Sequence, residues 1–122
     1  MANRRTVLVV DDHVMVRQLI ADVLAPGDRY NVLLAENGTE GLERSREFVG
    51  EIHLLVAAFR MPGMSGIALA TAVTVDRPKL KVLLMSGFPE NTALLNECWR
   101  FLAKPFTVSE LRTLVAELLF PD

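Results

Sequence analysis

Cysteine occurs once in the 122 residues, at Cys98, so no intrachain disulfide can form. A lone thiol suits a reducing compartment, where it packs as a small hydrophobe, and a cytoplasmic setting is expected. Charge of one sign is also missing: thirteen Lys and Arg face fifteen Asp and Glu, a net charge of −2. Without a positive excess, direct binding to nucleic acid or to an anionic membrane surface is not expected. Long apolar runs are absent near the start, where Val7 to Val10 meets Asp11 and Asp12 after only four residues. That is too short for a signal peptide or a membrane span. No low-complexity tract, linker or internal repeat interrupts the chain.

What is present is half apolar (51%) and about a quarter charged (23%), the balance of a packed globular protein. A single domain over residues 1–122 is expected. Five short runs rich in β-branched residues or leucine recur: Val7 to Val10, Val32 to Ala35, Leu54 to Ala58, Val82 to Met85, and Phe101 to Ala103. Being apolar on consecutive residues, they suit strands covered on both faces, as in a parallel sheet flanked by helices. The class is therefore α/β.

Helical patterns fill the gaps. Val16, Leu19, Ile20, Val23 and Leu24 form one stripe, with Asp12 placed to cap its start and Pro26-Gly27 to end it. Asn37-Gly38-Thr39-Glu40 has capping-box spacing and predicts a helix to Glu47 or Phe48. Ile67, Leu69, Ala70 and Val73 form the inner face of a third, which Asp76-Arg77-Pro78 stops. Thr107-Val108-Ser109-Glu110 opens the last, whose stripe is Leu111, Leu114, Val115, Leu118 and Leu119. Between Ser86 and Arg100, Pro89-Glu90-Asn91 has room for a short helix of about two turns or for a loop.

In an open parallel sheet, ligands sit beyond the carboxyl ends of the strands, so the residues after each run carry the chemistry. Asp11 and Asp12 follow the first run. Two crowded carboxylates call for a cation, and hard oxygen ligands suit Mg²⁺. Asp12 equally suits a helix cap with Asp11 turned to solvent. Ser86 and Lys104 offer a hydroxyl and a positive charge for a phosphoryl oxygen. Singly, each is also an ordinary turn serine and an ordinary surface lysine.

Taken together, Val-Leu-Val-Val-Asp11-Asp12, Arg60-Met61-Pro62-Gly63-Met64-Ser65-Gly66, Met85-Ser86-Gly87 and Lys104-Pro105-Phe106 resemble the receiver domains of two-component response regulators. The resemblance spans nearly the whole chain. It implies a doubly wound, flavodoxin-like receiver fold with five parallel strands in the order 2-1-3-4-5, here with a shortened fourth helix. It also implies Asp11, Asp12 and the Arg60 carbonyl as Mg²⁺ ligands, Ser86 and Lys104 as phosphoryl contacts, and a cis Lys104-Pro105 bond. Phe101 falls at the family's aromatic switch position, and it equally suits a plain core phenylalanine.

One departure decides the expected chemistry. Three residues before the Met-Pro pair, where the family places its phosphate-accepting aspartate, stands Ala58. A methyl group neither attacks phosphorus nor ligates a metal, so aspartyl phosphate formation is not expected there and Mg²⁺ binding should be weak. A natural non-phosphorylatable receiver and an engineered Asp-to-Ala form of a conventional one both fit Ala58; His53 and Ala57, also unusual for the family, favour the natural origin. The expected role is a non-enzymatic signalling module whose partners are a histidine kinase, a phosphotransfer domain or another receiver. A second copy of itself is a further candidate, and the chain equally suits a fragment of a hybrid kinase or larger regulator. A flavodoxin-like flavin or nucleotide domain is the alternative of another class, opposed by the acidic Asp11-Asp12-His13 turn where phosphate needs backbone donors and glycines. A hydrolase is disfavoured because no Asp-x-Asp or nucleophile-elbow motif is present.

Overall fold

The computed structural model describes residues 4–87 and 99–121. Within them the chain runs β1 (Arg5–Val10), α1 (Val14–Leu24), a short 3-10 turn (Pro26–Asp28), β2 (Tyr30–Ala35), α2 (Gly38–Glu47), β3 (Leu54–Ala58), α3 (Gly66–Asp76), β4 (Lys81–Ser86), β5 (Trp99–Ala103) and α4 (Val108–Leu119). The short helix expected from Pro89, and with it Leu94, Leu95 and Cys98, lies outside the described residues.

All five strands pair in parallel, in the order β2-β1-β3-β4-β5. Parallel neighbours need crossovers, and α1, α2 and α3 supply three of them. Strand side chains alternate between faces, so the sheet divides the core in two. Val7, Val9, Leu54, Val56, Leu83 and Met85 meet the buried stripes of α1 and α4 on one face. Leu8, Val10, Leu55, Ala57 and Leu84 meet Leu69, Ala70 and Val73 of α3 on the other. Each large side chain wholly removed from water here contributes about 2 kcal/mol.

The expectation of strands covered on both faces holds for β1, β3 and β4, whose residues are almost all buried. β2 and β5 are the sheet edges and are only partly covered. Trp99, which opens β5, is half-buried against the α3-side core.

Several local expectations are corrected. Asp12 does not cap α1: the N-cap is His13, whose side chain makes no capping hydrogen bond. Leu19, expected on the inner stripe of α1, is 40% exposed, and Ile20, Val23 and Leu24 carry the burial. Only half of the Asn37 box forms: Asn37 accepts from Glu40 N, but Glu40 Oε1 accepts from Glu36 N, one residue before the cap. The Thr107 and Glu110 box is complete.

At the opposite end from the strand carboxyl termini, Phe120 is held by cations and a ring. Arg29 lies 4.3 Å and Arg5 5.0 Å from its centroid, and Tyr30 packs at 6.1 Å. Burial pushes the Tyr30 phenol pKa up, partly opposed by Arg29. His53, one residue before β3, belongs to this end too. Its Nδ1 accepts from Thr6 N and its backbone joins β1 to β4, a structural role remote from the site.

Candidate functional site

β1 delivers Asp11 to the carboxyl edge of the sheet, where its backbone N–H still donates to Ala35 O at 3.2 Å. Its side chain is wholly buried, and a buried carboxylate is costly unless its oxygens are satisfied. Oδ1 accepts from His13 N at 2.8 Å, and Oδ2 lies 3.4 Å from Lys104 Nζ. Arg17, one turn into α1, donates to the Asp11 carbonyl at 2.7 Å. Lys104 and Arg17 thus offset the negative charge of this corner.

Asp12 is more open, with 27% of its side chain exposed. Its Oδ1 lies 3.5 Å from His13 Nδ1, which in turn lies 3.3 Å from Asp11 Oδ1. Asp11, Asp12 and His13 each offer one ligand atom, all within 4.8 Å of one another. Two hard oxygens and an imidazole nitrogen at that spacing fit a divalent cation.

β3 ends at Ala58, which is 2% exposed and pairs with Met85. The residue before it, Ala57, pairs with Val10, so Ala58 neighbours Asp11 across the β1–β3 boundary. From that boundary the chain winds one way through α1 to β2 and the other through α3 to β4. This is the switch point at which open sheets bind ligands. Close packing continues beneath it: a Cβ on Gly66, the first residue of α3, would run into the Ala58 carbonyl oxygen.

β4 ends at Ser86, which is buried and aligned with Ala103 of β5. Its carbonyl accepts from Lys104 N at 2.7 Å, and the Lys104-Pro105 peptide is cis. The four separated motifs therefore meet at one rim: Asp11 and Asp12 after β1, Ala58 at the end of β3, Ser86 at the end of β4, and Lys104 after β5. Arg60 lies in the β3–α3 connection at the same end. Phe101 is half-buried, and its ring stands 6.0 Å from Phe59, the residue after Ala58. The Phe101 ring thus packs against the segment that carries position 58.

Three contributors had gone unassigned in the sequence. His13 was visible as the neighbour of the aspartate pair, but its ring position depends on the non-helical backbone before α1. Arg17 and Phe59 gave no signal, because the partners of an arginine on a helix and of a phenylalanine after a strand are set by the fold.

The family model of the response regulator receiver domain matches residues 7–116, and the chain belongs to that family. It is 34% identical over 121 residues to the response regulator receiver protein CpdR of Brucella abortus (strain 2308), covering 94% of this chain and 93% of that protein. It is 35% identical over 119 residues to the sensor kinase CckA of the same organism, covering 93% of this chain but 12% of the kinase. With the DNA-binding transcriptional regulator NtrC of Escherichia coli (strain K12) it shares 32% identity and spans 24% of that protein. The solved receiver domain of the hybrid histidine kinase CckA superposes with a TM-score of 0.81 at 31% identity, over 93% of this chain and 98% of that one. The signal receiver domain of an HD domain-containing protein from Pseudomonas fluorescens Pf-5 superposes at 0.84 over 96% and 95%, its 24% identity supporting the fold. The chain is thus a receiver domain of the two-component type, and among its described residues no helix is long and apolar enough to cross a membrane.

Proposed function

We propose that this receiver works in two-component signalling by protein–protein contact, without accepting phosphate at position 58. The carrying observation is the buried Ala58 methyl at the switch point, beside Asp11 and on the rim that Ser86 and Lys104 complete. Acceptor chemistry needs a carboxylate oxygen to attack phosphorus, and alanine has none. In this reading Asp11, Asp12 and the Arg60 carbonyl hold Mg²⁺ weakly, with one carboxylate fewer to offset the ion's dehydration. Ser86 and Lys104 keep the positions that would contact phosphoryl oxygens, and Phe101 keeps the switch position.

The partners on this reading are a histidine kinase, a phosphotransfer domain or another receiver, with a second copy of the chain as a further candidate. The match to 12% of the sensor kinase CckA and to 93% of the receiver protein CpdR supports that range. A flavin or nucleotide phosphate is disfavoured by the carboxylates of Asp11 and Asp12 at this rim.

The test is Ala58→Asp. With Mg²⁺ and a small acyl phosphate, the introduced carboxylate attacks phosphorus and the donor's carboxylate leaves. Intact mass spectrometry should show a phosphoryl gain in the variant and none in the unaltered chain. A gain in the unaltered chain refutes the proposal.

A further inference from the structure

We infer that His13 is a direct ligand of the cation site and moves its preference from Mg²⁺ to a borderline transition ion such as Co²⁺ or Zn²⁺. The inference rests on the reading that Asp11 and Asp12 hold a cation, and adds to it the identity of the third ligand and the class of ion.

The first argument is spacing. His13 Nδ1 stands 3.3 Å from Asp11 Oδ1 and 3.5 Å from Asp12 Oδ1. A good hydrogen bond from a ring N–H to a carboxylate would sit nearer about 2.8 Å, so direct bonding does not explain the arrangement. Ligands each about 2.1 Å from a tetrahedral ion are separated by roughly 3.4 Å, and the two distances bracket that value.

The second argument is which atoms are committed. The His13 backbone N–H already donates to Asp11 Oδ1, fixing the residue against the carboxylate that its ring shares. Lys104 faces the other oxygen, Oδ2, so it neutralises Asp11 without standing between Oδ1 and the ring. The side chain of Asp12 is 27% and that of His13 69% exposed, so an ion with its waters approaches from their side, while the buried Asp11 forms the floor of the site.

The third argument is the ligand balance left by Ala58. A site of two carboxylates with a lysine 3.4 Å from one of them carries little net negative charge. Mg²⁺ dehydrates reluctantly and gains little from nitrogen, so this site suits it poorly. Imidazole is a good ligand for Zn²⁺, Ni²⁺ and Co²⁺, whose bonds to nitrogen offset the missing carboxylate.

The probes are MgCl₂ and CoCl₂, titrated calorimetrically into the whole chain carrying Cys98→Ser, which removes the one thiol that would compete for cobalt. Cobalt visible absorption gives an independent readout of nitrogen ligation. Co²⁺ should bind at least about tenfold more tightly than Mg²⁺, and His13→Ala should cost Co²⁺ roughly 10- to 100-fold while leaving Mg²⁺ nearly unchanged. His53→Ala should leave both unchanged. Co²⁺ binding and spectrum that survive His13→Ala overturn the inference while leaving the carboxylate site standing. Binding of both ions that survives Asp12→Asn together with Asp11→Asn overturns the underlying reading as well, provided circular dichroism shows the double variant folded. Equal affinities for the two ions before any histidine is changed also overturn the inference.

Discussion

Placing an aspartate at position 58 should destabilise this domain when no divalent ion is present. Ala58 is 2% exposed and lies across a strand boundary from Asp11, which is wholly buried. Adjacent parallel strands are about 4.8 Å apart, so the two carboxylates would stand roughly 5 Å from each other. At an effective dielectric constant near 20, their repulsion is about 3 kcal/mol. Desolvating the new charge adds to this, and Lys104, 3.4 Å from Asp11, offsets part of it. A net loss of about 2 to 3 kcal/mol follows, which for a domain of this length lowers Tm by about 8 to 12 °C. Thermal unfolding followed by circular dichroism in excess chelator should show that drop for Ala58→Asp. Ala58→Asn, similar in size but uncharged, should lose much less. Mg²⁺ at about 100 times its dissociation constant should return roughly 2.7 kcal/mol to the aspartate variant. The unaltered chain should respond far less at the same concentration. Equal melting in chelator, or an asparagine variant as unstable as the aspartate one, would refute the electrostatic reasoning.

Gly66→Ala should cost about 3 kcal/mol in urea unfolding, because its Cβ meets the rigid Ala58 carbonyl and not a side chain that could turn away. Arg77→Ala should cost about 2 to 3 kcal/mol, since its guanidinium donates to Ser45 Oγ, Ser45 O, Phe48 O and Gly50 O and so ties the end of α2 to α3. Arg77→Lys should recover less than half of that, as one ammonium cannot reach the same fan of acceptors. The Tyr30 phenol should titrate above the ordinary value near 10 in an absorbance titration. Because folding raises that pKa, its contribution is intact below pH 10 and is lost as pH rises through the folded value. A midpoint at or below that of the unfolded chain would contradict the burial assigned to it.

Local sequence rules succeeded where the physics is local. The complete Thr107 cap and the stripe of α4 involve residues a few positions apart, and so do the consecutive apolar residues of β1, β3 and β4. The same rules failed at the start of α1, where Asp12 had an ordinary capping position. There the neighbouring Asp11 carboxylate takes the His13 N–H, and His13 becomes the cap. The Glu40 side chain likewise accepts from Glu36 N in place of the cap residue, a choice between two local donors that spacing alone does not make.

By itself, the order of residues determined the α/β class, most element positions, and an alanine at position 58. It also supplied the motifs, but not their meeting. Lys104 stands 93 positions from Asp11 in the chain, and only the register of five parallel strands brings the ammonium to the buried carboxylate. Tertiary structure likewise decided that Asp11 is sealed from water, that Phe101 stands beside Phe59, and that the His13 ring points between two carboxylates. Such contacts depend on where a sheet sets distant strand ends, and no rule of short spacing contains that information.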